Sequence, residues 1–335
     1  MNLASNSLKY GLQILIPLCL GGIILWWMYR DFDFSSAWEV MQSEMTWSWM
    51  LLSLIFGIMS HVIRGIRWKL TLAPLQEYPK TGNCIYAIFF SYAANLIIPR
   101  VGEVSRCGVL SKYDGTSFSK SLGTVVTERL IDMVCVLVLT GLAILLSAKT
   151  FSSFFDKTGT NLSSWEELLT SFNFWIIVLC TIGVCILVYF MLRRLSFFGK
   201  LKHAIKNVWE GILSLRRVRH FPLFIVYTIG IWLCYFLQFY VAMFCFPFTE
   251  NLNVIAALLM FVVGSIAVVV PTPNGAGPWH FAIITMLTLF GVDRADAGIF
   301  ALITHGIQTF LLILLGIYAM VVLPFSNNNN KTKAL

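Results

Sequence analysis

The chain has 335 residues, of which 58% are hydrophobic and only 12% charged, with a net charge of +8. Soluble domains carry about a quarter charged residues, so the composition excludes a soluble globular or disordered protein and leaves an integral membrane protein. In that setting a basic excess marks cytoplasmic loops and anionic lipid rather than nucleic acid, and eight cysteines without one CxxC pair signal neither a metal site nor a disulfide framework.

Residues 10–29 are apolar enough to span and end in Trp26-Trp27-Met28-Tyr29-Arg30, an interfacial aromatic end rather than a cleavage site. Further spans are expected at 47–63, 122–146, 174–192, 223–246 and 297–323. Two runs are irregular. Residues 84–98 form a short run ending in Pro99, and residues 254–290 form a long one broken by Pro271-Thr272-Pro273-Asn274-Gly275-Ala276-Gly277-Pro278. No straight helix runs through three prolines and two glycines in eight residues.

Loop charge sets the orientation. Asp31, Asp33, Glu39 and Glu44 place 31–44 outside, whereas Arg64, Arg67, Lys69 and Lys80 follow the second span on the inside. Eight basic residues against Glu210 in 193–219, and Lys331 with Lys333, put that loop and the C-terminus inside. Crossings then balance only if 84–98 enters and returns from the cytoplasm and 254–290 makes no net crossing. The expectation is an all-α polytopic inner-membrane protein with both termini cytoplasmic. It has about six full transmembrane helices plus two re-entrant or broken elements, near 84–106 and 254–290, in an inverted-repeat arrangement. A single membrane domain covers 1–325. A cytoplasmic interfacial helix is expected near 200–216, and 326–335 reads as a disordered tail.

Four constellations carry chemistry. In the first, Asn95 leads through Pro99 into Arg100, Gly102, Glu103 and Arg106; Pro99 suits the first turn of a helix, and the three charges fall three apart on one face. A helix start flanked by two arginines is an anion site, or else a snorkelling turn with its own Arg–Glu pair. In the second, Thr124, Glu128 and Asp132 share a face, with Arg129 in reach of Asp132. These acids are partners for Arg100 or Arg106, or a local cluster closing the bundle end. The third is the break itself, with Pro271, Pro273, Asn274, Gly275 and Gly277, followed by His280; His305 and Gln308 lie one turn apart further on. It lines a ligand path, or it is an architectural hairpin whose polar groups bond a neighbouring helix. In the fourth, His61, Arg64, Arg67, Trp68 and Lys69 end the second span. Such clusters ordinarily mark topology and touch lipid headgroups; otherwise Arg64 and Arg67, which share a face, belong with the substrate-binding candidates.

At these motifs the sequence resembles the lysylphosphatidylglycerol synthase transmembrane-region family, a flippase-like family of integral membrane proteins. The resemblance runs over about 10–323. It is carried by Arg64-Gly65-Ile66-Arg67-Trp68, Asn95 through Arg106, Thr127-Glu128-Arg129-Leu130-Ile131-Asp132 and the break at 271–277. It implies movement or handling of a lipid with a polar head. No soluble synthase domain of the kind fused to some members is expected, and three positions depart from the family pattern. Asn274 stands for a glycine, and His280 stands near a glutamate; His305 falls near an arginine of relatives.

The leading expectation is therefore a flippase or transporter of a membrane lipid with an anionic or zwitterionic head. Arg100 and Arg106 would hold the headgroup phosphate and the 271–280 break would line the other half of the path. No catalytic residue, metal or cofactor is expected. The partner is the lipid, phospholipid or polyprenyl-phosphate-linked, and a separate lipid-modifying enzyme. The alternatives are a membrane enzyme or subunit acting on a polyprenyl-phosphate-linked sugar or aminoacyl lipid, with Glu103, Glu128 and Asp132 as acid–base groups, and a small-solute transporter.

Overall fold

The computed structural model describes residues 33–157 and 220–328, with Ile23, Leu25, Trp26, Tyr29 and Arg30. The spans expected at 10–29 and 174–192 and the interfacial helix near 200–216 lie wholly or largely outside the described residues. The described residues are helical with no strand. In chain order they form α1 (Phe34–Glu39), α2 (Trp47–Leu72), α3 (Thr81–Ile97), α4 (Val101–Asp114), α5 (Phe118–Lys157), α6 (Phe221–Met243), α7 (Val254–Ala267), α8 (Pro278–Leu289) and α9 (Arg294–Asn328).

Four of these are long and apolar enough to cross a membrane: Trp47–Leu75, Phe118–Ser147, Phe221–Met243 and Arg294–Asn327. They coincide with four of the six expected spans, though not in their bounds. α2 runs past residue 63 to Leu72, so Arg64 and Arg67 belong to the helix and not to a loop after it. Nothing in the sequence stops the helix there, because Arg and Lys are good helix formers; the stop comes at Pro74, in a 3₁₀ turn closed by Gln76 at φ 60°. α5 is interrupted at Ser147 (φ −159°, ψ 66°). α9 continues to Asn328, into the segment expected as a tail, and Asn327 hydrogen-bonds Asn83 and Lys80. That tie orders the end of the helix.

The two irregular runs are helical hairpins. α3 has 17 residues, α4 14, α7 14 and α8 12. At ~1.5 Å per residue each arm falls short of the ~30 Å apolar thickness of a bilayer. α3 packs on α4, and α7 on α8. The first hairpin turns at Ile98–Val101, where the Val101 amide donates to the Ile98 carbonyl at 3.2 Å. Pro99 sits at the second position of this turn and Arg100 at the third with φ 65°, a type II geometry that normally calls for glycine. Pro99 therefore precedes the helix and does not form its first turn. Asn95 Oδ1 accepts from the Gly102 amide at 2.7 Å. A Cβ on Gly102 would collide with the Ser91 carbonyl and the Asn95 amide, so the close return of α4 onto α3 requires glycine there.

The order of elements repeats. A long helix, a hairpin and a second long helix (α2, α3/α4, α5) are followed by the same series (α6, α7/α8, α9). Packing repeats reciprocally. α2 lies along α6; the first hairpin packs through α3 on α9, and the second through α7 and α8 on α5. Each hairpin thus seats on the long helix that closes the other unit. The α3–α9 crossing is tight, with Gly316 against Ala93. A large apolar cluster joins α6, α7, α8 and the start of α9, among them Phe239, Met260, Met286 and Phe300. A smaller one, with Trp68, Leu72, Ile88 and Leu110, fixes α2, α3 and α4.

Candidate functional site

The apolar faces of α2, α4 and α5 bring seven ionic side chains together. Arg106 Nη2 lies 2.7 Å from Glu128 Oε2, and Arg64 Nη1 2.9 Å from Asp132 Oδ2. Arg67 Nη2 bridges Glu128 at 3.5 Å and Asp132 at 3.6 Å. Arg129 contacts Glu103 and Asp132, both at 3.6 Å. Glu128 and Arg67 are wholly buried and Arg106 is 1% exposed. Isolated charges at such sites would be very costly, and only mutual pairing makes them tolerable. The carboxylates have the arginine partners that the sequence called for. Arg64 and Arg67 are in the core of the network, which replaces the expected topology marker touching lipid headgroups.

Neutral groups complete the enclosure. Trp68 Nε1 donates to Thr124 Oγ1 at 2.9 Å, and the Arg106 guanidinium stacks over the Trp68 ring at 4.6 Å. Arg67 Nη1 donates to Thr228 Oγ1 at 3.0 Å and packs over Phe224. Four arginines face three carboxylates, so the network holds one net positive charge. Its guanidinium donors are not all used: Arg64 Nε, Arg67 Nε, and Arg106 Nε and Nη1 are buried without a hydrogen-bond acceptor. Glu103 Oε2 is likewise unpartnered.

Arg100 stands apart from this network. It is exposed, and its Nη2 donates to the carbonyl of Val269 at 3.2 Å. That bond joins the tips of the two hairpins, and the turn Pro273–Gly275 packs on α3. The two breaks therefore meet although ~170 residues separate them. The second break is held by its own polar groups. Asn274, with φ 51°, donates from Nδ2 to Thr309 Oγ1 at 3.0 Å and accepts through its carbonyl from His305 Nε2 at 3.1 Å. His280 is 3% exposed, and its Nδ1 accepts from the Gly277 amide at 3.3 Å. An acceptor Nδ1 carries no proton, so the His280 ring is neutral in this state. Its ring lies 4.5 Å from that of His305, with Trp279 and Tyr29 against the pair. His280 and His305 are neighbours, and each hydrogen-bonds the backbone of the break. Pro271 is exposed, Gly275 and Gly277 take positive φ, and Gln308 is half-buried beyond His305.

Two apolar cavities of about 370 and 450 Å³ lie away from the breaks, along α5, α6 and α7. They share Val134, Cys135, Thr228 and Ile229 and so form one trough. Its rim is exposed apolar surface, with Val138 65% and Ile229 61% accessible. Its floor includes Thr228, the acceptor of Arg67, and Thr127, next to Glu128. The ionic network lies behind Thr228 and Thr127, and none of its charged side chains lines the trough. Among the described residues no cluster of His, Cys, Asp and Glu suits a metal ion.

The sequence does not mark Thr228, Tyr92 or Tyr235 as site residues. Thr228 carried one signal, as a small polar residue inside the run at 223–246. Trp68 is marked only by its place beside Arg64 and Arg67.

The model of a family described as the lysylphosphatidylglycerol synthase TM region matches residues 14–316. A UPF0104 membrane protein of Methanocaldococcus jannaschii is 25% identical over 226 residues, which cover 66% of this chain and 90% of that protein.

Proposed function

The chain belongs to the lysylphosphatidylglycerol synthase transmembrane-region family, and from that premise we propose that this multi-pass membrane protein moves a lipid with an anionic or zwitterionic head between leaflets. The observation that carries the reading is the junction of apolar trough and buried ionic network at Thr228 and Thr127. A ligand that fits both is amphipathic: chains in the trough, a phosphate against unused guanidinium donors. Arginine forks suit a phosphate, and a trough with an exposed apolar rim is reached from the bilayer plane. Exposed Arg100, at the joined hairpin tips, would be a further cation on the path.

The repeat of helix, hairpin and helix supports an inverted arrangement, in which short hairpins from opposite faces meet at a substrate path. Non-helical backbone at that depth needs protein or water around it, and at both breaks neighbouring groups meet backbone atoms. The pairing of Glu103, Glu128 and Asp132 with arginines supports a holding role over acid–base catalysis, and so favours transport over the enzyme reading. A separate lipid-modifying enzyme would supply the lipid.

Purified protein in liposomes that carry a tail-labelled fluorescent phosphatidylglycerol tests this. Dithionite bleaches only the outer leaflet, so bleaching beyond half in protein-containing vesicles supports the proposal. Bleaching that stops at half, as in protein-free vesicles, would refute it.

A further inference from the structure

Beside the ionic network lies a second buried group that the lipid path does not use. His61, on α2, is 7% exposed, and its Nδ1 is buried without a hydrogen-bond partner. Its ring lies 4.2 Å from that of Tyr92 on α3 and 6.2 Å from that of Tyr235 on α6. The two phenols share one hydrogen bond, with their oxygens 2.9 Å apart. Arg64, one turn along α2, extends its guanidinium to 5.8 Å from the Tyr235 ring and pairs with Asp132 on α5.

We infer that His61 is a proton-binding site, filled when an anionic headgroup occupies the neighbouring arginine network. The inference rests on the lipid reading above and adds its coupling ion. The network already holds one net positive charge, and a proton on His61 would add a second beside Arg64 in a low-dielectric setting. A phosphodiester anion among the guanidinium groups removes that conflict, so the anion and the proton favour each other. Linkage is reciprocal: what the anion does for proton binding, the proton does for anion binding. The unpartnered Nδ1 is the atom that accepts the proton.

The test uses the full chain in maltoside micelles, with tryptophan quenching by dibrominated phosphatidylglycerol at pH 5.5 and 8.0. Trp68 lies against Arg106, so the part of the quenching that Trp68→Phe removes reports on the network. Dibrominated phosphatidylcholine is the zwitterionic control. Phosphatidylglycerol should bind about tenfold more tightly at pH 5.5, near the low end of the ~5–150-fold coupling between linked sites, while phosphatidylcholine binding stays constant. His61→Gln should bind at the pH 8.0 affinity at both pH values; His61→Asn serves if that variant does not fold. Wild-type protein should also take up protons from a weakly buffered solution at pH 6.5 when phosphatidylglycerol is added. Phosphatidylglycerol binding that is equally tight at both pH values, or a tenfold difference that survives in the His61 variant, would overturn the proton site and leave the lipid reading intact. No quenching by phosphatidylglycerol at either pH would overturn both.

Discussion

Glu128 is the keystone of the ionic network, and Glu128→Gln removes one charge without changing shape. The carboxylate holds Arg106 at 2.7 Å and Arg67 at 3.5 Å with no solvent access on either side. The amide keeps one acceptor oxygen but leaves two buried guanidinium groups short of charge. Removing one partner of a buried pair costs about 3–5 kcal/mol. At roughly 2–4 °C per kcal/mol for chains of this order, the melting temperature in detergent should fall by about 10 °C. The companion experiment replaces both partners. Arg106→Met with Glu128→Leu fills similar volume, removes the pair together and leaves Arg67 facing Asp132. Replacing a buried pair by apolar groups is often close to neutral, so the double variant should regain at least half of the loss. Melting within about 2 °C of wild type for Glu128→Gln, or losses that simply add in the double variant, would refute the pairing as described.

Other perturbations probe separate parts. Arg100→Gly removes the exposed guanidinium but suits the left-handed backbone at φ 65°. The ~1 kcal/mol of relieved strain offsets the lost bond to the Val269 carbonyl, ~1 kcal/mol, so stability should stay within about 1 kcal/mol while lipid movement falls. Unchanged movement would remove Arg100 from the path. Gly316→Val should destabilise by about 1–3 kcal/mol, because any Cβ there meets Ala93; normal thermal stability would contradict the α3–α9 crossing. For topology, Ser35→Cys should react with an impermeant maleimide from outside and Tyr78→Cys only after permeabilisation, and the reverse pattern would invert the orientation.

Much of the architecture was legible because it rests on local signals. Apolar runs marked α2, α5, α6 and α9, and Pro99 and the prolines from 271 to 278 marked both hairpin turns. Bounds were less legible where propensity carried a helix past the last apolar residue, as at Arg64 to Leu72. The pairing of the acids with arginine followed from the cost of burying a lone carboxylate. The choice of Arg64 and Arg67 did not, since they lie more than 60 residues from their partners and only the packing of α2 on α5 and α6 unites them. The same holds for Trp68 with Thr124, and for His61 with Tyr92 and Tyr235. The left-handed Arg100 defies the preference for glycine, so no local rule announced it. The tight seat of Asn327 on Asn83 was hidden by a run of asparagines that resembles a tail.

If the trough between α5 and α6 and the network behind it form the lipid path, filling the trough stops lipid exchange. Ile229 lines both cavities and is 61% exposed, so Ile229→Trp fills the trough without touching an ionic group. Phe325 on α9, 73% exposed, gives a matched control in Phe325→Trp. Both variants are to be reconstituted in liposomes with tail-labelled phosphatidylglycerol and followed by dithionite bleaching, with melting temperatures measured alongside. Exchange should be at least tenfold slower for Ile229→Trp at unchanged melting temperature, and at the wild-type rate for Phe325→Trp. Wild-type exchange through a filled trough would contradict that path.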